Sequence, residues 1–364
     1  MERKLASVQK IVDIIPIEGA DKIELARVEG WQCVIAKSDN FKIGDLGVYL
    51  EIDSLVDPNN SKFEFLKERK YRVRTIKLRG QLSQGLFMPL SILPNKNWKE
   101  GDDVTELLKV RKYDPIADAE AKLEAEKLAR QNNKIKKFFM RYNWFRKLFP
   151  KKKAGFPYFI SKTDEERIQN MGWILQKEKG TKFVATEKVD GQSGTYFLVK
   201  NKQKFLWFGS KYIFGVCSRN LHLPKKDNSN WWNVAKKYNI KSVLEKLIGE
   251  EEFVVLQGEI TGPTIQGNKY KLGELNFQAF NLLYPNHKID SVNAKHILDI
   301  YNIKFVPILS TEFVLPDTMD EALLLADGKS VLADTLREGL VLRNYEKDLS
   351  FKIVSNKFLL KFED

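Results

Sequence analysis

Residues 182–191 read Lys-Phe-Val-Ala-Thr-Glu-Lys-Val-Asp-Gly, and the interpretation of the second half of the chain starts from this stretch. It predicts a β-strand that ends in a turn rich in glycine and serine. Such a turn would place Lys188 at the rim of a sheet, with its amine directed into a cleft. A Lys-x-Asp-Gly match can also arise by chance in a lysine-rich chain, so an exposed turn is the simplest alternative.

Four further segments follow this stretch in order, and each combines a predicted strand with one side chain suited to nucleotide chemistry. These side chains are Glu259 at the end of 253–259, Phe280 within 277–281, Glu338 just before 339–343, and Lys352 within 351–354. Taken singly, the acids could lie at solvent-exposed edges and the aromatic could belong to a core. Their joint occurrence favours a common site.

The ordered set resembles the nucleotidyl-transferase motifs shared by ATP-dependent ligases and mRNA-capping enzymes. The resemblance covers the whole second half of the chain and implies an ATP site that also includes Glu187 and Asp190. It implies that Lys188 becomes adenylated, that Phe280 stacks on adenine, and that Glu338 and Lys352 are catalytic together with it. Residues 218–220 resemble a further motif, which makes Arg219 a nucleotide contact.

The chemistry of these residues supports the same interpretation. A lysine attacks phosphorus only as the neutral amine, which a nearby metal ion, a second cation or burial can favour. Asp190, Glu259 and Glu338 could hold a hydrated Mg²⁺ or Mn²⁺, because hard divalent cations prefer carboxylate and water oxygens. Lys352 and Arg219 would neutralise charge that develops on the α-phosphate and pyrophosphate.

The N-terminal part of the chain predicts a small β-barrel. Short strands separated by glycine-bearing turns are expected at 23–29, 31–37, 46–52, 71–79 and 85–90. Residues 46–52 alternate strictly between apolar and polar faces, whereas 71–79 change phase near Thr75, which predicts a β-bulge. Five strands over this length resemble an OB-type barrel.

The order of the parts indicates the branch of the family. DNA ligases and capping enzymes carry an OB domain after the last motif, for which the twelve residues beyond Lys352 leave no room. An OB-like module at the N-terminus, with the signatures at 74–85, 162–170 and 355–361, is similar to the Deinococcus-type RNA ligases. Many relatives have a second lysine in the fifth motif, where this chain has Val354; Lys357 and Lys361 are possible substitutes.

Bulk composition is consistent with a nucleic-acid partner. The 364 residues carry a formal charge of +13 and are 12% aromatic, which fits nucleic acid or, as the alternative, a membrane surface. Two cysteines are too few for a disulfide framework and indicate a reducing compartment, and three histidines make a histidine metal site improbable. Without a signal peptide or a membrane span, a soluble, cytoplasmic monomer is expected, with no membrane partner.

The predicted class is α+β, with the OB-like β-barrel at 1–110, a basic helical connector at 111–154, and an adenylyltransferase domain at 155–364. That last domain is expected to be an ATP-grasp-like ligase fold of antiparallel sheets with flanking helices, and residues 163–166 predict a helix-capping box. In the connector, a helix is predicted at 119–130. Basic and aromatic residues occur together at 134–153, which fits packing on the second domain, nucleic-acid contact or membrane docking.

The expected activity is that of an ATP-dependent RNA ligase that repairs RNA by sealing breaks between a 3′-hydroxyl and a 5′-phosphate. A nicked duplex with RNA on the 3′-hydroxyl side is the favoured substrate. Two alternatives stay open at this point: a capping-type guanylyltransferase, and a nucleic-acid-binding protein whose motifs no longer catalyse. All the motif acids and lysines are retained except the lysine at 354, which argues against a protein that only binds nucleic acid.

Overall fold

The structure is a computed structural model that describes residues 4–113, 155–201, 210–224 and 228–362. Its contacts divide the chain into two compact units: the first is Met1–Tyr113, Glu165–Lys188 and Leu309–Asp364, and the second is Asp114–Asp164 and Val189–Ile308. The predicted domain boundaries at 110 and 154 stay a prediction. The predicted helix at 119–130 and the basic segment at 134–153 lie outside the described residues.

The N-terminal sheet of the first unit has the strand order β3-β2-β1-β4-β8. Its strands are β1 Ala6–Pro16, β2 Ile23–Val28, β3 Trp31–Ala36, β4 Leu46–Leu50 and β8 Leu86–Pro89. A hairpin of β6 Thr75–Leu78 and β7 Gln81–Gln84 and the short pair β5 Ser54–Leu55 and β9 Arg111–Lys112 accompany it. A 3-10 helix runs over Ser61–Arg69, with shorter ones at Lys37–Asp39 and Leu90–Ile92.

Strand β1 was not predicted, because the polar residues near its start are as buried as the apolar ones. Ser7 and Gln9 are 5% and 6% exposed, and the Gln9 amide donates to the Ser7 hydroxyl over 3.0 Å. The strand lies between β2 and β4, so both of its edges are paired. A strand covered on both faces loses the alternation by which a half-buried strand is predicted.

The predicted β-bulge near Thr75 is wrong. Strands β6 and β7 pair in regular register from Thr75 opposite Gln84 to Leu78 opposite Gln81. The change of phase arises because residues 71–74 lie outside the strand: Tyr71 adopts a left-handed φ of 58°, and Val73 pairs through its backbone with Asp53 and Ser54.

The second sheet of the first unit has the order β10-β19-β18-β11-β17. Its strands are β10 Glu166–Arg167, β11 Lys182–Lys188, β17 Ile308–Val314, β18 Gly339–Asn344 and β19 Leu349–Val354. One face of β11, β18 and β19 packs its apolar side chains into a core with the helices α1 Ile174–Lys177 and α5 Met319–Ala326 and the 3-10 helix Ile168–Met171. Helix α6 Asn356–Phe362 closes the chain.

The capping box predicted at 163–166 is also wrong. Glu166 and Arg167 form β10, which pairs in parallel with β19, and the Glu165 carboxylate binds Arg343 and the Ser350 hydroxyl. These tertiary bonds outweigh the local capping bonds on which the prediction rested. A true capping box occurs at the start of α5, between Thr318 and Glu321.

The second unit contains a sheet with the order β14-β13-β12-β15-β16. Its strands are β12 Gln192–Lys200, β13 Tyr212–Cys217, β14 His222–Leu223, β15 Phe253–Thr261 and β16 Asn276–Leu283, and its helices are α2 Asn230–Lys237, α3 Ile240–Leu247 and α4 Ser291–Asp299, with a 3-10 turn at Gln266–Asn268. The α+β class is confirmed. Within the described ranges, no helix is long and apolar enough to cross a membrane.

Candidate active site

Lys188 is the last residue of β11 and lies beside an acid of the neighbouring strand. Its Nζ is 2.5 Å from Oε1 of Glu338, and the two side chains are only 23% and 14% exposed. Gly339 makes this approach possible: it pairs with Lys188, and a Cβ there would lie 2.1 Å from the carbonyl oxygen of Ile353. The tight packing of β18 against β19 thus fixes Glu338 next to the lysine.

The second carboxylate oxygen of Glu338 has an unusual environment. Oε2 is buried, and no hydrogen-bond donor among the described residues reaches it. A buried carboxylate oxygen without a donor is costly, because it has lost its water and gained nothing in return. A hydrated divalent cation is a group that would satisfy it, since such ions take carboxylate oxygens and water as ligands.

Glu187 is adjacent to Lys188 but makes different contacts. Its carboxylate is 1% exposed and accepts hydrogen bonds from the Ser330 hydroxyl at 2.5 Å and the Val331 amide at 2.9 Å. Burial raises the pKa of Glu187, while these hydrogen bonds and Arg337 oppose the rise. Successive residues of a strand point to opposite faces. The predicted nucleotide contact of Glu187 stays a prediction.

Lys352 lies on the face of its sheet that does not enter the core. Its neighbours Phe351 and Ile353 are fully buried in that core, so Lys352 points the other way. In register across the sheet, Lys352 is flanked by Val341 on β18 and Arg167 on β10. Two cations therefore stand side by side on this face.

Sequence reasoning missed Arg167, and the structure also explains the missing lysine at 354. Val354 is 2% exposed and packs against Leu82 and Leu359, so a charged side chain there would lose its hydration. Arg167 stands over the Trp31 ring, 5.5 Å from its centre. A strand of two residues has no periodicity by which Arg167 could have been identified.

Arg343, which was not predicted either, lies on the same face of the sheet as Lys352. It is 4% exposed; Nη2 donates to Glu165 at 3.1 Å and Nη1 to the Thr186 hydroxyl at 3.4 Å. Glu165 also accepts a hydrogen bond from Ser350 on β19. This buried ion pair connects three strands of the sheet that carries Lys188 and Lys352, so its role is to hold their spacing.

In the second unit, Gly191 packs the turn that contains Asp190 against β15, at Glu259 and Ile260. A Cβ on Gly191 would lie 2.3 Å from the carbonyl oxygen of Ile260 and 3.0 Å from Cγ of Glu259. Glycine is therefore required for the turn to pack on the end of β15. The Asp190 carboxylate also forms an ion pair with Lys269, over 2.6 Å.

Phe280 occupies a β-bulge. Gln257 pairs with Asn281 and Gly258 with Ala279, so Phe280 is the extra residue on β16. It is half-buried, whereas Phe277 is fully buried against Tyr196 and Tyr238. Bulges often redirect a side chain beside a functional site, and this one leaves part of the Phe280 ring accessible.

Arg219 lies in the turn between β13 and β14 and is half exposed. Its guanidinium forms an ion pair with Asp164. The three acids predicted to bind metal are divided between the units, with Asp190 and Glu259 in the second and Glu338 in the first. Over the described ranges, no cluster of three or more His, Cys, Asp or Glu side chains forms a ready-made metal site.

A strand-borne lysine paired with a partly buried glutamate, beside further cations and after an N-terminal β-sheet domain, defines a polynucleotide ligase of the nucleotidyl-transferase class. A family model for OB-fold domains matches residues 5–90, and the family model for RNA ligase matches residues 181–358. No curated protein matches the sequence.

Solved structures of a Naegleria gruberi RNA ligase match along the whole length of both chains. The structure with PPi is 33% identical with a TM-score of 0.74, and each chain is covered to 100%. A glutamate-to-alanine variant with ATP and Mn is 34% identical with a TM-score of 0.74, and a lysine-to-methionine variant with AMP and Mn is 33% identical with a TM-score of 0.75; both match at 100% coverage of each chain. The chain belongs to the RNA ligase family and carries an N-terminal OB-fold domain, as its motifs predicted.

Proposed function

We propose that this RNA ligase uses ATP to join a 3′-hydroxyl to a 5′-phosphate, with AMP carried on Lys188. Nζ attacks the α-phosphate and expels pyrophosphate, AMP passes to the 5′-phosphate, and the 3′-hydroxyl then displaces AMP to form the phosphodiester. The observation that supports Lys188 as the nucleophile is its 2.5 Å contact with a glutamate that is 14% exposed. That contact fixes Nζ at the end of β11, on the same face of the sheet as Lys352 and Arg167.

A divalent ion suits the chemistry of the three predicted acids. Glu338 has a buried oxygen without a donor among the described residues, and the turn that contains Asp190 packs on Glu259 through Gly191. We assign Mg²⁺ or Mn²⁺ to Asp190, Glu259 and Glu338; relatives have been solved with ATP or AMP together with Mn. When bound, the ion supplies positive charge at the α-phosphate and favours the neutral amine.

The cationic side chains have separate tasks in the proposal. Lys352 and Arg167 stand side by side and would stabilise the charge of the α-phosphate and the departing pyrophosphate. Arg167 supplies the second cation that Val354 cannot supply. Arg219 contacts the nucleotide, and Phe280 stacks on adenine through its accessible face.

The RNA substrate of the proposal is a nicked duplex, sealed by a monomer. Recognition depends on the 2′-hydroxyls of the strand that provides the 3′-hydroxyl, because this group distinguishes RNA from DNA. A cytoplasmic location fits the cysteines: Cys33 and Cys217 are buried and unbridged, and burial raises the pKa of both thiols, which keeps them unreactive.

Self-labelling tests the nucleophile. Incubation with α-labelled ATP and Mn²⁺ should leave acid-labile, alkali-stable label on the protein, and Lys188→Ala should abolish it. Lys182→Ala, at the other end of the same strand, is the matched control and should label normally. Label on the Lys188→Ala protein would refute the assignment. Labelling by GTP in place of ATP would favour the capping-type alternative, and no labelling of the wild type would favour a binding protein.

Nick sealing tests the substrate. Duplexes that differ only in the sugars next to the 3′-hydroxyl should be sealed about a hundredfold faster with ribose than with deoxyribose, the scale of one lost contact in a transition state. The strand with the 5′-phosphate is expected to be accepted as RNA or DNA. Equal sealing rates on all-DNA nicks and nicks with an RNA 3′ end would contradict the proposal.

A further inference from the structure

The turn that follows the nucleophile is contacted by the loop at 262–275, which joins β15 to β16. Hydrogen bonds and an ion pair connect them. Lys269 Nζ lies 2.6 Å from the Asp190 carboxylate, the Asp190 amide donates to the Tyr270 hydroxyl over 2.9 Å, and the Gln266 side chain donates to the Gly191 carbonyl over 3.4 Å. The loop therefore holds the carboxylate, the N–H and the C=O of one short turn.

The loop is itself firmly built. The Asn268 side chain donates to the carbonyl of Leu272 and accepts from its amide, at 3.0 and 2.9 Å. Ile265 and Tyr270 anchor it, at 2% and 5% exposed. These contacts fix the backbone on both sides of Lys269, and its ammonium group is held by the Asp190 carboxylate.

The turn that Lys269 contacts also packs on β15. Gly191 lies against Ile260 and the Cγ of Glu259, so the turn that contains Asp190 is fixed on the part of β15 that carries Glu259. Lys269 and Asp190 are only 18% and 14% exposed, which weakens screening by solvent. Without Lys269, the Asp190 carboxylate would lose an ion pair in a place where solvent screens it little.

We propose that Lys269 is a positioning residue for adenylylation: it holds Asp190, and through Asp190 the turn that begins immediately after Lys188. The role rests on the proposed function. Lys269 contacts neither the reacting nitrogen nor the phosphorus in this scheme. It fixes the carboxylate that must stand beside Glu259 when ATP and the divalent ion are bound.

The experiment compares single-turnover self-labelling of four variants at saturating Mn²⁺. Lys269→Met should lower the rate at saturating ATP about 10- to 100-fold, the factor that corresponds to a lost hydrogen bond between charged groups. The ATP concentration for half-maximal rate should change less than about threefold. Lys269→Arg should recover part of the rate, and Tyr270→Phe should lose a smaller part. Lys271→Met, an exposed neighbour with the same change of charge, should label like the wild type.

A double-mutant cycle tests whether Lys269 acts through Asp190. If it does, Lys269→Met should add less than about twofold to the loss caused by Asp190→Asn, because the second change removes an interaction already lost. Multiplicative losses, or a wild-type rate for Lys269→Met, would overturn the proposal. So would a thermal midpoint of Lys269→Met well below that of Lys271→Met, which would indicate general destabilisation. Absence of label on the wild-type protein would instead count against the proposed function.

Discussion

Lys188 and Asp190 stand two residues apart, and each forms an ion pair, but the two pairs are held very differently. In the pair of Lys188 with Glu338, the second carboxylate oxygen is buried and has no donor among the described residues. In the pair of Asp190 with Lys269, the aspartate is bound through its backbone amide as well, by Tyr270. Burial is similar in both, so exposure does not distinguish them.

The difference corresponds to what each pair must do. A nucleophilic lysine has to leave its carboxylate before it can attack, so a partner with an unsatisfied oxygen is ready to exchange it for another cation. A positioning aspartate must keep its place through the reaction, so several bonds to one rigid loop suit it. The Glu187 carboxylate is of the second kind, because each of its two oxygens accepts a hydrogen bond, one from Ser330 and one from Val331.

The largest expected effect comes from removing Glu338, the partner that Lys188 must leave before it attacks. Glu338→Ala should lower self-labelling at least about a hundredfold, since it removes both the contact that orients Nζ and an assigned metal ligand. The measurement is the single-turnover rate, with the thermal midpoint as a check on folding. Glu346→Ala, an exposed acid just after the same strand, is the control and should leave the rate unchanged. If Glu338→Ala is labelled near the wild-type rate, the difference drawn between the Lys188–Glu338 pair and the Asp190–Lys269 pair is wrong.

Smaller effects are expected for Lys352 and Val354, two residues of β19 that have different roles. Lys352→Met, which keeps the side-chain stem, should lower the labelling rate about tenfold to a hundredfold through loss of a charge at the phosphates. Val354→Ala should leave the rate per folded molecule unchanged and lower the free energy of unfolding by about 1–2 kcal/mol, because its methyl groups pack against Leu82 and Leu359. Chemical denaturation and labelling of both variants separate the two roles. A Val354→Ala protein that is as stable as the wild type but is labelled more slowly would contradict the packing role of Val354.

The sequence identified the strand-borne site residues because runs of apolar residues mark the strands and the acids and lysines stand at their ends. Lys188, Glu259 and Lys352 all lie in or at the end of predicted strands. Arg167 and Lys269 were missed for a physical reason: one lies on a strand of two residues and the other on a loop held by side chains bonded to the backbone. Neither arrangement produces a period in the sequence.

Residues that bond across the fold also misled the sequence analysis. Thr163 to Glu166 have the spacing of a capping box, yet Glu165 is used by Arg343 and Ser350. Nothing in the sequence explained the valine at 354 in place of a lysine, whereas the structure shows that its side chain belongs to a contact with Leu82 of the OB-fold domain, in the same unit. A local pattern cannot reveal a partner that is distant in sequence.

The smallest expected effect concerns stability, at the acid next to the nucleophile. Burial raises the pKa of Glu187 above its ordinary value of 4.5, so between these values the folded protein binds more protons than the unfolded chain. Stability therefore falls as pH rises from about 4.5 through the raised pKa, and the loss is complete above it. Glu187→Gln removes this titration and keeps both contacts, since its carbonyl can accept from the Val331 amide and its amide can donate to the Ser330 hydroxyl.

Glu187→Gln should therefore melt a few degrees above the wild type at neutral pH, and the gap should close on acidification towards pH 4.5. Thermal melts across this range measure it, with Glu346→Gln as an exposed control that should show no such trend. If Glu187 only holds the loop at 330–331, self-labelling at neutral pH should change little. A large loss of labelling at unchanged stability would instead place Glu187 with Glu338 among the groups that act on the nucleotide, which is the role its motif predicted.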